Sequence, residues 1–227
     1  MIEYLFLDLD DTILDFHKAE RLAIAKTFRE FHLEPTDQVL KEYHQINIMH
    51  WQMLERGEIT RDEVLVNRFA VLFHQKGIEA DPVLCARTYE KNLGIGHYFL
   101  PGAEDAVKSL HKKYRLFLAS NGTASVQHSR LTSAGLYPYF EQVFISQKLG
   151  CNKPSREYFD ACYACIPGFD PRKAIMVGDS LTSDIQGGKN GGMRTVWVNP
   201  GHRPCGGILP DYEIESVAQL EQLLETL

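Results

Sequence analysis

Apolar positions run almost without a break from Ile2 to Leu9 and end in Asp8-Leu9-Asp10-Asp11-Thr12. Such a run predicts a strand covered on both faces, as in a parallel sheet, rather than a half-exposed edge with alternating polar residues. The period then changes. Leu22, Ile24, Ala25, Phe28 and Phe31 fall at mostly helical spacing and stop near Pro35. Thr36-Asp37 can cap a second helix through Val39, Leu40, Tyr43, Ile46 and Trp51 to about Arg56. After the turn Gly57-Glu58-Ile59, Thr60 and Glu63 form a capping-box pattern for a third helix that ends near Gly77. Asp81-Pro82 opens a fourth, carrying Leu84, Cys85, Tyr89 and Leu93.

From Pro101-Gly102 onward, helices and short apolar strands alternate. The strands are Leu116-Phe117-Leu118-Ala119, Val143-Phe144-Ile145, Ala174-Ile175-Met176-Val177 and Thr195-Val196-Trp197-Val198. With the amino-terminal run this makes five strands separated by helices, the signature of an α/β, doubly wound parallel sheet. The four helices between the first strand and the rest predict an insertion. The expected division is a core of residues 1–15 and 99–227 with a helical cap of residues 16–98, seated above the carboxyl edge of the sheet as a lid. Gly94 and Gly96 are candidate hinges. They do not form a dinucleotide fingerprint, because no strand precedes them and the third glycine is missing.

Composition narrows the class. A chain of 227 residues has room for one α/β domain with a sizeable insertion. A net charge of -6 gives no electrostatic reason to expect a nucleic-acid polymer or an anionic membrane as partner, so small molecules are the default. No apolar run approaches the ~20 residues of a membrane helix, and the start has no signal-peptide pattern. Five cysteines without framework spacing predict reduced thiols and a cytoplasmic setting, with Cys162 and Cys165 structural. Nine histidines show no HExxH or comparable spacing, so zinc is not expected. Gly187-Gly188 and Gly191-Gly192 lack the Lys-Ser or Lys-Thr of a phosphate loop and read as close helix packing and a cap before the last strand.

The chemistry gathers at strand ends. The first strand offers Asp8 and Asp10, the second Ser120 and Asn121, the loop beyond the third Lys153, and the fourth Asp179 with Asp184 five residues on. On a parallel sheet these ends share the edge where ligands bind. Taken alone, the first acids also fit a solvated turn with Asp11-Thr12 as caps. Taken together, the groups suit phosphoryl transfer. Asp8 can attack phosphorus while Asp10 protonates the leaving oxygen and later activates water. Magnesium on Asp8 and Asp179 would offset the repulsion between carboxylate and phosphate. Ser120, the Asn121 amide and Lys153 would hold the phosphoryl oxygens.

In order and spacing, Asp8-x-Asp10-x-Thr12, Ser120-Asn121-Gly122, Lys153-Pro154 and Gly178-Asp179-x4-Asp184 resemble the four motifs of the haloacid-dehalogenase-like hydrolase superfamily. The resemblance covers the whole chain. It implies a Rossmann-like core with a helical cap, a phosphoaspartate at Asp8, and Mg2+ held by Asp8, the Asp10 carbonyl and Asp179, with Asp184 supporting the metal. A carboxylate at Asp10 sets the chain with the phosphatases, since the dehalogenases it resembles lack one there. Asn47-x3-Trp51, Gly57-x-Ile59-Thr60 and Arg68-Phe69 are similar to the pyrimidine 5′-nucleotidase branch. That branch implies a small phosphomonoester substrate of the UMP, dUMP or dTMP kind, and the chain is expected to be a monomer or homodimer. A small-metabolite phosphatase, for phosphoglycolate or a sugar phosphate, or a phosphomutase on the same fold is the alternative; a non-catalytic binding module is disfavoured by the intact motifs.

Of the cap residues, Trp51 could stack on a base or join the helix core with Tyr43, Ile46 and Leu54. Asn47 could face the cleft or cover solvent. Arg61 and Arg68 read as surface or salt-bridge residues.

Overall fold

The computed structural model describes residues 1–227. Its elements, in chain order, are β1 (Tyr4–Leu7), α1 (Phe16–Glu30), α2 (Asp37–Glu55), α3 (Arg61–Lys76), α4 (Pro82–Leu93), α5 (Ala103–Leu110), β2 (Arg115–Ser120), α6 (Ala124–Ser133), β3 (Gln142–Ile145), α7 (Ser146–Leu149), α8 (Arg156–Ala164), β4 (Ala174–Gly178), α9 (Gln186–Asn190), β5 (Arg194–Val198), β6 (Tyr212–Ile214) and α10 (Leu220–Leu224). They form two compact units, one of residues 1–16 and 97–227, the other of residues 17–96.

The larger unit is built on one sheet of order β3-β2-β1-β4-β5-β6 in which every neighbouring pair is parallel. This is a Rossmann-like doubly wound sheet whose strand order reverses beside β1, the place where such sheets open a crevice at their carboxyl ends. Side chains alternate between its faces. Leu5, Leu7, Leu116, Leu118, Ile175, Val177, Val196 and Val198 meet Val107 and Leu110 of α5, Leu131 of α6 and Leu220 of α10. On the opposite parity, Tyr4, Phe6, Phe117, Ala119, Phe144 and Met176 pack on Tyr158, Phe159 and Cys162 of α8. Double coverage is why β1, β2 and β4 read as continuous apolar runs.

The edge strand β6 is a sixth strand that the sequence pattern does not announce. It has three residues and only one of them, Ile214, is buried. The paired glycines do pack closely, since a Cβ at Gly188 would lie 2.7 Å from Thr195 Cγ2 and 2.8 Å from Met176 Cβ.

The smaller unit holds α2, α3, α4 and all but the first residue of α1. The expected caps are present. Thr36 accepts from the Val39 amide, Thr60 and Glu63 close a reciprocal capping box, Gly77 ends α3 in the left-handed region at φ 62°, and Asp81 caps α4 ahead of Pro82. Inside, the rings of Tyr43, Phe69 and Tyr89 meet with centroids 5.1 to 5.6 Å apart. The five cysteines are free thiols, and no helix is long and apolar enough to cross a membrane.

Candidate active site

Asp8 leaves β1 still tied into the sheet, its amide donating to the Val177 carbonyl at 2.9 Å. The chain then turns sharply. Asp11 takes φ 55°, a left-handed value that aspartate tolerates better than most residues, and its Oδ1 accepts from the Phe16 amide at 2.8 Å where α1 begins. Asp11 is therefore a capping residue of this turn.

Lys153 is the hub of the site. Its side chain is 1% exposed, and Nζ donates to Asp8 Oδ1 at 2.7 Å, to Asp184 Oδ1 at 2.6 Å and to the Ala119 carbonyl at 2.6 Å. Those contacts take all three ammonium donors. The backbone of Lys153, which precedes a cis peptide to Pro154, is gripped by the side chain of Asn121. Asn121 Nδ2 donates to the Lys153 carbonyl, and the Lys153 amide donates to Asn121 Oδ1, each at 2.9 Å. The Asn121 side chain thus positions the lysine.

Beyond β4, Asp179 follows Gly178, and residues 181–185 form one wide π-helical turn that carries Asp184 back into the interior. Asp184 is fully buried, its Oδ2 accepting from the Ser180 amide at 3.0 Å. Gly178 is required here because any Cβ would overlap the Asp184 carboxylate. Asp179 is fixed through its carbonyl, which accepts from Trp197 Nε1 at 2.9 Å and Arg203 Nη2 at 3.0 Å.

Carboxylate oxygens of Asp8, Asp179 and Asp184 lie within 4.8 Å of one another. With all three carboxyls ionised, the one ammonium of Lys153 would leave two negative charges uncompensated among these four groups. The strain shows in their acidities. Burial pushes the Asp8 carboxyl up to about 8 against the pull of Lys153, with Asp184 and Asp10 adding to the rise. Burial and then Asp184, Asp8 and Asp11 hold Asp179 well above the carboxylate range, although it keeps some exposure. Burial alone would lower Lys153, but Asp184 and Asp8 hold it above its ordinary value. An all-oxygen donor set with this charge deficit fits a hard dication such as magnesium.

The Asp10 carboxylate faces away from that cluster. It forms an ion pair with Arg130, and its Oδ2 accepts from Gln127 Nε2 at 2.7 Å. Gln127 Nε2 also donates to Ser120 Oγ at 2.8 Å, and Ser120 Oγ accepts from the Gly122 amide at 3.0 Å. With two donors already aimed at its oxygen, the Ser120 hydroxyl can direct its own proton outward to an anion. Gln127 and Arg130 are absent from the residues the motifs suggest. Their three-residue spacing puts them on one face of α6, a spacing shared by many polar helix faces, so the sequence alone does not single them out.

In the helical unit, Asn47 and Arg68 are both buried, which corrects the solvent-covering and surface readings. Asn47 Nδ2 donates to Glu20 Oε1 at 2.6 Å, and Arg68 Nη1 donates to Asn47 Oδ1 at 2.8 Å. Arg68 has an amide rather than an acid as its side-chain hydrogen-bond acceptor. Trp51 is half-buried instead of a core residue, with the Arg61 guanidinium 5.5 Å from its ring.

The model of the haloacid dehalogenase-like hydrolase family matches residues 2–192. The chain is 38% identical to the HAD-hydrolase YfnB of Bacillus subtilis over 97% of its length and 94% of that protein. Against pyrimidine 5′-nucleotidase PynA of Streptococcus pneumoniae the figures are 37%, 98% and 95%, and against pyrimidine 5′-nucleotidase YjjG of Escherichia coli 29%, 98% and 97%. The crystal structure of YfnB, described as bound to magnesium, superposes with a TM-score of 0.94 over 99% of both chains. The chain belongs to the haloacid dehalogenase-like hydrolase family and is a phosphoric monoester hydrolase within it.

Proposed function

We propose that this enzyme hydrolyses nucleoside 5′-monophosphates, pyrimidine nucleotides first, to nucleoside and phosphate through a phosphoaspartate on Asp8, in a magnesium-dependent reaction. The observation that carries the chemistry is that Asp8 and Asp184 share the Lys153 ammonium while the Asp179 carboxylate joins theirs, so that three acids gather around a single positive charge. The nucleotide reading is supported by similarity to PynA and YjjG along nearly the whole chain.

Asp8 and Asp179 would hold magnesium, together with the Asp10 carbonyl, and Asp184 would orient the site from its bonds to Lys153 and Ser180. When bound, the ion supplies charge that offsets repulsion between the Asp8 carboxylate and the phosphoryl oxygens. An Asp8 oxygen attacks phosphorus, the bond to the ester oxygen breaks, and that oxygen takes a proton from Asp10 as the nucleoside leaves. Asp10 then takes a proton from water, whose oxygen attacks phosphorus, and the bond to Asp8 breaks to restore the carboxylate. Lys153 pulls the Asp8 carboxyl down against the effect of burial, and a bound dication would favour its ionised form further. Ser120 and the Asn121 amide bind the phosphoryl oxygens, with Lys153 adding charge behind them. Asn47, expected at the leaving group, has both ends of its amide bonded inside the helical unit, to Glu20 and Arg68, so it is given no substrate contact in this reading; the half-buried Trp51 is the residue left for that role.

A panel of UMP, dUMP and dTMP against purine nucleotides, sugar phosphates and phosphoglycolate, with magnesium, tests substrate class. Preferential turnover of the pyrimidine nucleotides is expected, and equal turnover across the panel would contradict it. Loss of all activity in Asp8→Asn tests the nucleophile independently, and persistent turnover there would remove that assignment.

A further inference from the structure

Within the helical unit, a second group of ligating side chains lies apart from the motifs. His17 and Glu20 are three residues apart on α1, so they share a face, and His44 reaches them from α2. One ligand atom from each lies within 4.8 Å of the others. The His17 and His44 rings are 4.7 Å apart at their centroids, and His44 Nδ1 is 2.5 Å from Glu20 Oε2.

Glu20 is 3% exposed, and its orientation is imposed from behind. Arg68 can only donate, so its bond to Asn47 fixes the amide with Oδ1 toward the guanidinium and Nδ2 toward Glu20 Oε1. That leaves Oε2 as the oxygen presented to His44. Outer partners that lock one carboxylate oxygen and aim the other are the usual support of a metal ligand. An ion pair would need only His44. The nearby His17 adds a second imidazole and, being exposed, an entry path.

We propose that His17, Glu20 and His44 bind a transition-metal dication of the zinc, cobalt or nickel type, in a site distinct from the all-oxygen aspartate cluster. Two imidazole nitrogens and one carboxylate oxygen favour such ions over magnesium, and three protein ligands leave a position for water. Ligand atoms about 2.0 Å from a tetrahedral zinc lie roughly 3.3 Å apart. His44 and Glu20 therefore separate by less than about 1 Å on binding, as the ion takes the place of the hydrogen between them and the neutral imidazole carries its proton on Nε2. The bound ion would clamp α1 to α2. This inference does not depend on the substrate proposed above.

The test uses the full chain, stripped with a chelator and equilibrated with cobalt(II) in excess magnesium. One retained equivalent of cobalt with visible absorption is expected, and it should persist in Asp179→Asn. His17→Ala and His44→Ala should each weaken it by at least about tenfold. No retained cobalt, or cobalt lost in Asp179→Asn but unaffected by His17→Ala, would overturn the site. If a histidine variant fails to fold, paramagnetic broadening in the unaltered protein decides. Cobalt should broaden the imidazole resonances of His17 and His44 first among the nine histidines; broadening centred on any other histidine overturns the proposal.

Discussion

Arg130, with none of its side chain exposed, holds the Asp10 carboxylate in an ion pair, and Gln127 joins the same carboxylate to Ser120 at 2.7 and 2.8 Å. The group read as acid and base is thereby connected to a group read as a phosphate ligand through Gln127 of α6, which Arg130 braces. General acid and base catalysis is worth about 10²- to 10⁴-fold and depends on position. Arg130→Met should leave Asp10 without its clamp and lower kcat by about 10- to 100-fold, with KM little changed. Arg130→Lys keeps the charge but lacks the planar fork, and should recover only part of the loss. Steady-state kinetics with an aryl phosphate reads the outcome; a normal kcat in Arg130→Met would remove Arg130 from the catalytic geometry.

Lys153 gives a second prediction. Deleting one partner of a buried ion pair costs about 3 to 5 kcal/mol, because the other charge stays behind. In Lys153→Met two carboxylates lose their shared ammonium at once. The variant should melt well below the parent in chelator and recover more of its melting temperature on adding magnesium than the parent gains. Equal melting of the two proteins without metal would mean that the ammonium does not hold the acids together.

How much of this could be read from the chain follows from where each signal resides. Asp8 and Asp179 stand at the ends of the apolar runs of β1 and β4, so the parallel direction of the strands puts them at one edge; Lys153 and Asp184 lie farther on, past α7 and in the turn after Ser180, and the structure brings all four together. The caps of α2, α3 and α4 were legible because each is a local pattern of three or four residues. Arg130 and Gln127 carry no such mark, since a helix face is polar for many reasons. The Glu20, Asn47 and Arg68 relay spans three helices, and nothing in a linear pattern states which faces meet. Strand β6 escaped because three residues with one buried position give no period to detect.

The acidity of Asp8 makes a third prediction. Without metal its folded value of about 8 lies above the unfolded value near 3.8, chiefly through burial. The folded state therefore holds a proton that the unfolded chain has released, so this contribution to stability is complete below pH 3.8 and is lost as pH rises through about 8. Thermal melting of the chelated protein should fall between about pH 5 and pH 8.5 relative to Asp8→Asn, which lacks the group. Saturating magnesium, which requires the ionised carboxylate, should raise the melting temperature more at the alkaline end. A magnesium effect that is largest at acid pH would contradict a folded Asp8 that holds its proton.

Two glycines separate architecture from chemistry. A Cβ at Gly178 collides with the Asp184 carboxylate, which cannot swing away without giving up Lys153 Nζ at 2.6 Å and the Ser180 amide at 3.0 Å. The nearest atoms a Cβ at Gly188 would meet are apolar atoms of Met176 in β4 and Thr195 in β5. Overpacking of either kind costs about 1 to 3 kcal/mol, so Gly178→Ala and Gly188→Ala should lose comparable stability. Only Gly178→Ala displaces a carboxylate of the acid cluster. It should raise the magnesium concentration needed for half-maximal activity by about tenfold or more, the scale expected when support around a metal ligand is disturbed, while Gly188→Ala leaves that concentration unchanged. A magnesium titration of both variants at a temperature where each is folded makes the comparison, and parallel shifts in the two would show that the effect belongs to the sheet and not to Asp184.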